Sequence, residues 1–342
     1  MLGVRMAVTI KDVARAAGFS VATVSRVLNA SGPVKPETVR RVREVALSLR
    51  YAPNGAARSL TTRKTSTLGV LLPDLHGEFF SEVIRGIDAT AHEHGYHILV
   101  SSSHNEPEEI AATLAAMRGR VDGVIIMSPA IEAAALAHDL PNSIPVVLLN
   151  CKGTGHAYDA LGVDNYGGAF AMTEHLLAMG RTRIAMITGP AGNADAEERL
   201  QGYRDALRDA GIARAAELEL HGDFHEQAGY AAAQRALALA PRPDALFGAN
   251  DVMAIGALSA LRERGVRVPE EMSVVGFDDI SMARYMNPPL TPVRVNIAEL
   301  GNTAVNTLVN AIRTKNAHER RRQILSAALV VRGSCGAGAR PP

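Results

Sequence analysis

The sequence predicts two joined parts of different class: an all-α helix-turn-helix module at the N-terminus and a two-lobed α/β body behind it. Three observations carry this. Apolar residues recur at helical spacing through residues 9–51, broken by the triplet Gly18-Phe19-Ser20. From Thr67 onward short apolar runs alternate with helical stretches, and this alternation restarts near residue 160. The charge divides along the same line. Residues 1–64 hold twelve Lys/Arg against three acidic side chains, a net +9 in a chain whose total is +1, so the remainder carries −8. Such asymmetry implies a small module that meets a polyanion, attached to an acidic body with a different task.

The chain has 342 residues, 47% hydrophobic and 21% charged, which excludes a disordered or a very small stapled protein and suggests two or three domains. Its two cysteines, Cys151 and Cys335, exclude a disulfide framework and a cysteine-built zinc site, and they fit a reducing compartment. No apolar run approaches the roughly 18 to 20 residues of a membrane span, and no apolar signal segment opens the sequence. The expected location is the cytoplasm, with no membrane partner.

Thr9 and Asp12 stand three apart as an N-cap hydroxyl and a carboxylate, and Val13, Ala14 and Ala17 follow at helical spacing. Gly18 tolerates the positive φ of a sharp turn, and Ser20 can cap a second helix from Val21 to about Asn29. Wound at about 100° per residue, that helix turns Val24, Val27 and Leu28 to one side and Ala22, Ser25, Arg26 and Asn29 to the other. Val21 sits at its exposed start. Arg26 can fork onto guanine, Ser25 and Asn29 can bond a base or phosphate, and Val21 and Ala22 can lie against a thymine methyl. A loop marked by Gly32, Pro33 and Pro36 leads to a third helix, Glu37 to Tyr51. Its Val39, Val42, Val45 and Leu49 face inward, while Arg40, Arg41, Arg43 and Arg50 face outward, where phosphate contacts would be made. Residues 53–60 are too short and glycine-containing to hold a helix alone. Either they order on a partner, with Leu60 as an apolar wedge and Arg58 as a phosphate or groove contact, or they are a plain linker. The polar, basic stretch 61–66 reads as linker.

In the body, apolar runs at 67–72, 96–102, 122–128, 145–150, 183–188, 244–249 and 273–278 read as strands, with helices of about 12 to 16 residues between most of them. The restart implies two similar lobes, crossovers near 160 and 290, and a returning C-terminal segment. A ligand would lie between the lobes, outside the carboxyl ends of the strands. Polar residues follow strands there: Asp74, Asn150, Asn250, Asp251, Asp278 and Asp279. Arg199 follows the loop 189–196. The alternative for Asp278 is a helix N-cap and for Asn250 a turn residue. No G-x-G-x-x-G follows a strand and no phosphate-cradling P-loop occurs. Adjacent Asp278 and Asp279 would point apart rather than pair as acid and base. His92, His94 and His97, and likewise His221 and His225, lack further ligands for a metal. No enzyme activity, cofactor or metal is expected.

The segments TIKDVARAAGFSVATVSRVLN (9–29), YAPNGAARSL (51–60), LGVLLPD (68–74), GVDNYGGA (162–169), RLQGYRDAL (199–207), FGANDVMAIGAL (247–258) and SVVGFDDI (273–280) resemble the LacI/GalR family of bacterial transcription regulators. The resemblance spans nearly the whole chain. It implies a helix-turn-helix headpiece at 1–52, a hinge helix and linker at 53–66, and a periplasmic-binding-protein-like effector and dimerisation domain at 67–342. It implies DNA contacts at Thr9, Ser20, Val21, Ala22, Thr23, Ser25, Arg26, Asn29, Tyr51 and Asn54, with Leu60 as the intercalating hinge leucine; Arg58 joins the expected contacts on the reading above. The Val21-Ala22 pair is of the galactose-repressor type. The implied target is a near-palindromic double-stranded operator with a central CG step, bound by a homodimer. The tail GSCGAGARPP has no leucine heptad for a tetramerising coiled coil.

For the effector, the same resemblance implies contacts from Phe79, Phe80, Arg199, Phe224, Asn250 and Asp278, and the strand-end positions of Asp74 and Asn150 add those two to the expected set. Phe79 and Phe80 occupy either the cleft edge or core. An arginine, an amide, a carboxylate and an aromatic face suit a sugar, whose hydroxyls donate and accept and whose C–H face is apolar. Two departures stand out: Val295 takes the place of a sugar-contacting glutamine, and HGEFF (76–80) replaces the usual Asn-Pro-Phe-Phe. The expected function is repression of carbohydrate-utilisation genes, released by a small sugar-like effector. The alternatives are a corepressor-dependent repressor answering a nucleobase-like metabolite, or a catabolic regulator that also activates.

Overall fold

The structure is a computed structural model that describes residues 8–29, 32–51, 64–104, 106–130, 144–153, 158–314 and 318–337. The chain divides into two compact units, Met1–Ser66 and Thr67–Pro342.

The first unit holds α1 (Ile10–Ala17), α2 (Val21–Asn29) and α3 (Pro36–Ser48). At the start of α1, Asp12 Oδ2 accepts from the Thr9 backbone N–H at 3.0 Å and from its hydroxyl at 2.7 Å, satisfying a donor that the first turn leaves free. Gly18 ends α1 at φ 77°, a left-handed value that a Cβ would strain. The Thr23 N–H then donates to Ser20 Oγ at 3.1 Å and starts α2. Val13, Val24, Val27, Val42 and Val45 from all three helices close one small core. The third helix stops at Ser48, three residues before the expected Tyr51. Arg50 turns to φ 51° and the Tyr51 N–H folds back onto the Ala46 carbonyl at 2.8 Å, so the chain leaves the helix through a left-handed cap.

The second unit begins with β1 (Thr67–Leu72), α4 (Glu78–Glu93), β2 (His97–Ser102), α5 (Pro107–Met117), β3 (Gly123–Met127), β4 (Val146–Leu149) and β5 (Asp159–Val163). It continues with α6 (Asn165–Ala178), β6 (Ile184–Ile187), α7 (Ala194–Asp209), β7 (Glu219–Leu220), α8 (Glu226–Ala238), β8 (Ala245–Gly248), α9 (Asp251–Glu263) and β9 (Ser273–Asp278). A 3-10 turn at Ser281–Tyr285 precedes β10 (Thr291–Arg294), α10 (Ile297–Thr314), β11 (Arg322–Leu325) and β12 (Ala328–Leu329).

Among the described residues these strands form two six-stranded sheets, ordered β11-β5-β4-β3-β1-β2 and β12-β10-β9-β8-β6-β7. Every pairing is parallel except β10 with β12. The chain passes from the first lobe to the second between β5 and α6, returns between β10 and α10, and passes back between β11 and β12. Strands β3, β4, β6, β8 and β9 are buried along their whole length, as a sheet covered on both faces requires. In the second lobe α8 and α9 lie so close that a Cβ on Gly229 would meet the Met253 carbonyl oxygen at 2.0 Å and one on Gly256 the Glu226 carbonyl oxygen at 2.0 Å.

Candidate functional site

Each unit offers one surface with its own chemistry. In the first, Thr9, Ser20, Val21, Ala22 and Arg26 are exposed, while Thr23, Ser25, Asn29 and Tyr51 are partly buried. Helix α2 presents those from Val21 to Asn29 because Val24 and Val27 fill the core on its opposite side. Asn29 Nδ2 donates to Ser25 Oγ at 3.1 Å, and the Ser20 and Thr23 hydroxyls lie 2.9 Å apart, so these polar groups are ordered on the surface. Tyr51 packs against the small core. Arg40, Arg41, Arg43 and Arg50 are exposed, and among the described residues none of these four, nor Arg26, forms an ion pair. Asn54, Arg58 and Leu60 lie outside the described residues.

The second surface lies where the strand ends of the two lobes face each other. Arg199, in the second turn of α7, is 5% exposed and organises it. Its Nε donates to Asn165 Oδ1 at 2.8 Å, its Nη1 to the Ala249 carbonyl at 2.6 Å, and its Nη2 lies 3.3 Å from Asp278 Oδ1. The guanidinium also stacks 3.8 Å from the Phe277 ring centroid and 5.9 Å from that of Phe224. Asp195 Oδ2 accepts from Asn150 Nδ2 at 2.8 Å and its Oδ1 from Asn165 Nδ2 at 2.9 Å, which ties the first lobe and the crossover into α6 to the start of α7. Burial pushes the carboxyls of Asp195 and Asp278 up to about 6, against the opposing pull of Arg199. Asp251, buried beneath them, is held well above the usual carboxylate range by burial and by neighbouring Asp278, while its Oδ2 accepts the Ile280 N–H at 2.9 Å.

The two adjacent acids do point apart: Asp279 pairs with Arg294 and Arg332 instead. Asp278 is the last residue of β9 rather than a helix cap, whereas Asn250 does cap α9, its Oδ1 accepting the Met253 N–H at 2.9 Å and its Nδ2 donating to the Phe224 carbonyl at 3.0 Å. Asn150, Phe224 and Asp278 hold positive φ (49°, 73° and 112°), strain that costs stability and clusters at sites rather than in scaffolds. Asp74 closes its loop by accepting the Leu75 and His76 N–H groups. Phe79 and Phe80 are half-buried, edge-to-face with centroids 5.4 Å apart, against the main core. A cavity of about 170 Å³ flanks the cluster, lined by Asn150, Asn165, Asp195 and Glu198 and by Lys152 and Arg322.

Residues 9–54 match the family of bacterial regulatory proteins, lacI family, and residues 173–335 a periplasmic binding protein-like domain. The HTH-type transcriptional repressor PurR of Haemophilus influenzae (strain PittEE) is 35% identical over 312 residues, covering 90% of this chain and 92% of that protein. The chain belongs to the LacI family. The ribose operon repressor of Escherichia coli (strain K12) is another relative, 34% identical over 329 residues, with 95% of this chain and 99% of the relative covered. As a LacI-family protein the chain is a DNA-binding transcriptional repressor and not an enzyme. Among solved structures, the lac repressor dimer bound to operator and the anti-inducer ONPF aligns with TM-score 0.86 at 29% identity, covering 96% of this chain and 99% of that one. The transcriptional regulator CelR–cellobiose complex aligns with TM-score 0.72 at 32% identity, with the same coverage. The all-α headpiece and two α/β lobes of this LacI-family repressor therefore have close structural counterparts. Among the described residues, no helix is long and apolar enough to cross a membrane.

Sequence reasoning missed Ser128, Asn165 and Asp195 at the second surface. Ser128 follows β3 as Asn150 follows β4, so the strand-end rule that selected Asn150 also selects Ser128. Asp195 lay within what reads as loop 189–196, but α7 already begins at Ala194, capped by Asn193 accepting the Ala196 N–H at 3.1 Å.

Proposed function

We propose that this LacI-family repressor acts as a homodimer on a near-palindromic operator and is released by a neutral, hydroxyl-rich small molecule, a sugar, bound between the lobes of the body. One observation carries the ligand reading. Two buried polar atoms without a hydrogen-bond partner among the described residues, Ser128 Oγ and Asn150 Oδ1, belong to residues at the carboxyl ends of β3 and β4, and at the end of β9 Asp278 Oδ1 has only the ion pair with Arg199 Nη2 at 3.3 Å. Buried polar atoms left unpaired are costly, and a ligand that donates to them removes that cost. Asn150 Oδ1 and the Asp278 carboxylate can only accept, so the ligand must bring donors such as hydroxyls. An anion would add charge beside carboxylates that burial already disfavours.

The DNA contacts of the headpiece are Thr9, Ser20, Val21, Ala22, Thr23, Ser25, Arg26, Asn29 and Tyr51, with Asn54, Arg58 and Leu60 supplied by the hinge. Two headpieces read two half-sites related by the dimer's symmetry. Effector binding alters the lobe angle and so the hinge order on DNA. A second reading has its own support: nucleobases also donate through N–H groups, and the half-buried Phe79, Phe80 and Phe224 rings would stack on a planar base. A thermal-shift screen of the full chain against neutral sugars, sugar acids and nucleobases separates the readings. Stabilisation by a neutral sugar is expected; stabilisation by nucleobases alone replaces sugar with corepressor, and stabilisation only by acids overturns the donor argument.

A further inference from the structure

We propose that the segment Asp74–Glu78 is a latch that holds the two lobes closed, with Glu78 as the residue that engages. Glu78 opens α4 in the first lobe, yet its carboxylate reaches the second: Oε1 accepts the Ser281 N–H at 2.5 Å and Oε2 the Met282 N–H at 3.3 Å. Both oxygens thus satisfy the free amides at the start of the 3-10 turn Ser281–Tyr285, a place where negative charge is favoured. Bonds to an ionised acceptor are stronger than neutral ones.

The segment is built to make this reach. Asp74 Oδ1 pins the backbone by accepting the Leu75 and His76 N–H groups, and Gly77 turns the chain at φ 93°. One residue pair away, the His76 ring stacks on that of His225 from the second lobe, centroids 6.4 Å apart at 16°. The sequence reads HGEFF here in place of the Asn-Pro-Phe-Phe pattern, so the carboxylate stands where that pattern has no acceptor side chain. On the β3 and β4 side of the cleft, other contacts join the lobes: the Ala194 N–H donates to the Pro129 carbonyl at 2.9 Å, and Lys152 Nζ meets Glu197 at 2.8 Å. Glu78 therefore closes the β1 side of the cleft, opposite the Ala194 and Lys152 contacts. Releasing it lets the lobes part without any ligand, and frees the turn that exposes Met282 (52%) and Tyr285 (76%).

Hydrogen exchange of the ligand-free full chain tests this, with Ser281 and Met282 as local reporters and Ala194 as the distant one. In Glu78→Ala, exchange at all three amides is expected to quicken, by about tenfold at Ser281 and Met282 and less at Ala194, while strands β3 and β8 keep their protection. Glu78→Gln, which keeps one acceptor but no charge, should fall between and serves if the alanine variant folds poorly. Faster exchange confined to Ser281 and Met282 makes Glu78 a local cap and overturns the latch. Unchanged exchange at Ser281 and Met282 in both variants overturns the contact itself.

Discussion

The headpiece and the body handle charge in opposite ways. The headpiece leaves Arg26, Arg40, Arg41, Arg43 and Arg50 exposed and, among the described residues, without ion pairs. The body sinks Arg199 to 5% exposure against Asp278 and two aromatic rings, with Asp195 and Asn165 alongside. Exposed cations gain from a partner that releases counterions, and they carry little sequence information of their own. A buried cation with matched acceptors gains from shape and hydrogen bonding, in a place salt does not reach. One surface is suited to a polyanion and the other to a small neutral ligand.

Salt should separate the two surfaces most sharply. Raising it from about 50 to 200 mM should lower operator affinity on the order of a thousandfold if the dimer neutralises six or more phosphates, while effector affinity hardly moves. Parallel titrations by fluorescence anisotropy and calorimetry check this, and equal salt dependence of both breaks the contrast. Next in size is Asp278→Ala, which removes the ion pair of Arg199 while Asn165 and the Ala249 carbonyl still hold the guanidinium, and it should cost up to about 3 kcal/mol of stability in denaturant unfolding. Replacing Arg199 and Asp278 together by leucine should recover most of that loss, yet leave a repressor deaf to its effector. Arg26→Ala should cost about 1 to 3 kcal/mol per half-site and relax the base preference at one position, read by competition with operator variants. A uniform loss across variants would make Arg26 a phosphate contact instead.

The smallest effect is that of pH on stability. Asp195 and Asp278, raised to about 6, and Asp251, held well above the ordinary carboxylate range by burial, bind protons more tightly folded than unfolded. Their contribution is full below the ordinary carboxylate value near 3.8 and fades as pH rises through about 6, so the melting temperature should climb as pH falls from 7.5 to 5.5. His175, lowered by burial, opposes this by favouring the unfolded chain as pH falls. Asp278→Asn should flatten the climb.

Where a pattern rested on local chemistry, the sequence was a sufficient guide. The α1 capping residues, the Gly18 turn and the limits of α2 follow from side chains within three or four positions of each other. The apolar runs became parallel strands, buried except for β2 (His97–Ser102) at the sheet edge. Strands β5, β7, β10, β11 and β12 were not legible, because they lack a distinct apolar run and owe their pairing to distant partners; β11 is exposed over three of its four residues. The same holds in the site. Arg199, Asn250 and Asp278 could be named from strand ends and resemblance, but the bridge from Asn150 through Asp195 to Asn165 joins three separate elements and exists only once the lobes have folded. Glu78 is likewise readable as a helix-opening acid, and its partners lie 203 and 204 residues away.

The central claim is that occupancy of the cleft around Arg199 and Asp278 controls the grip of the headpiece on DNA. Its most direct test is operator binding titrated with neutral sugars, sugar acids and nucleobases, run side by side on the unmodified chain and on Asp278→Asn. The account predicts that a neutral, hydrogen-bond-donating molecule shifts operator affinity in the first and leaves the second unmoved at full DNA affinity. An Asp278→Asn repressor that answers the same molecule with the same shift would contradict it.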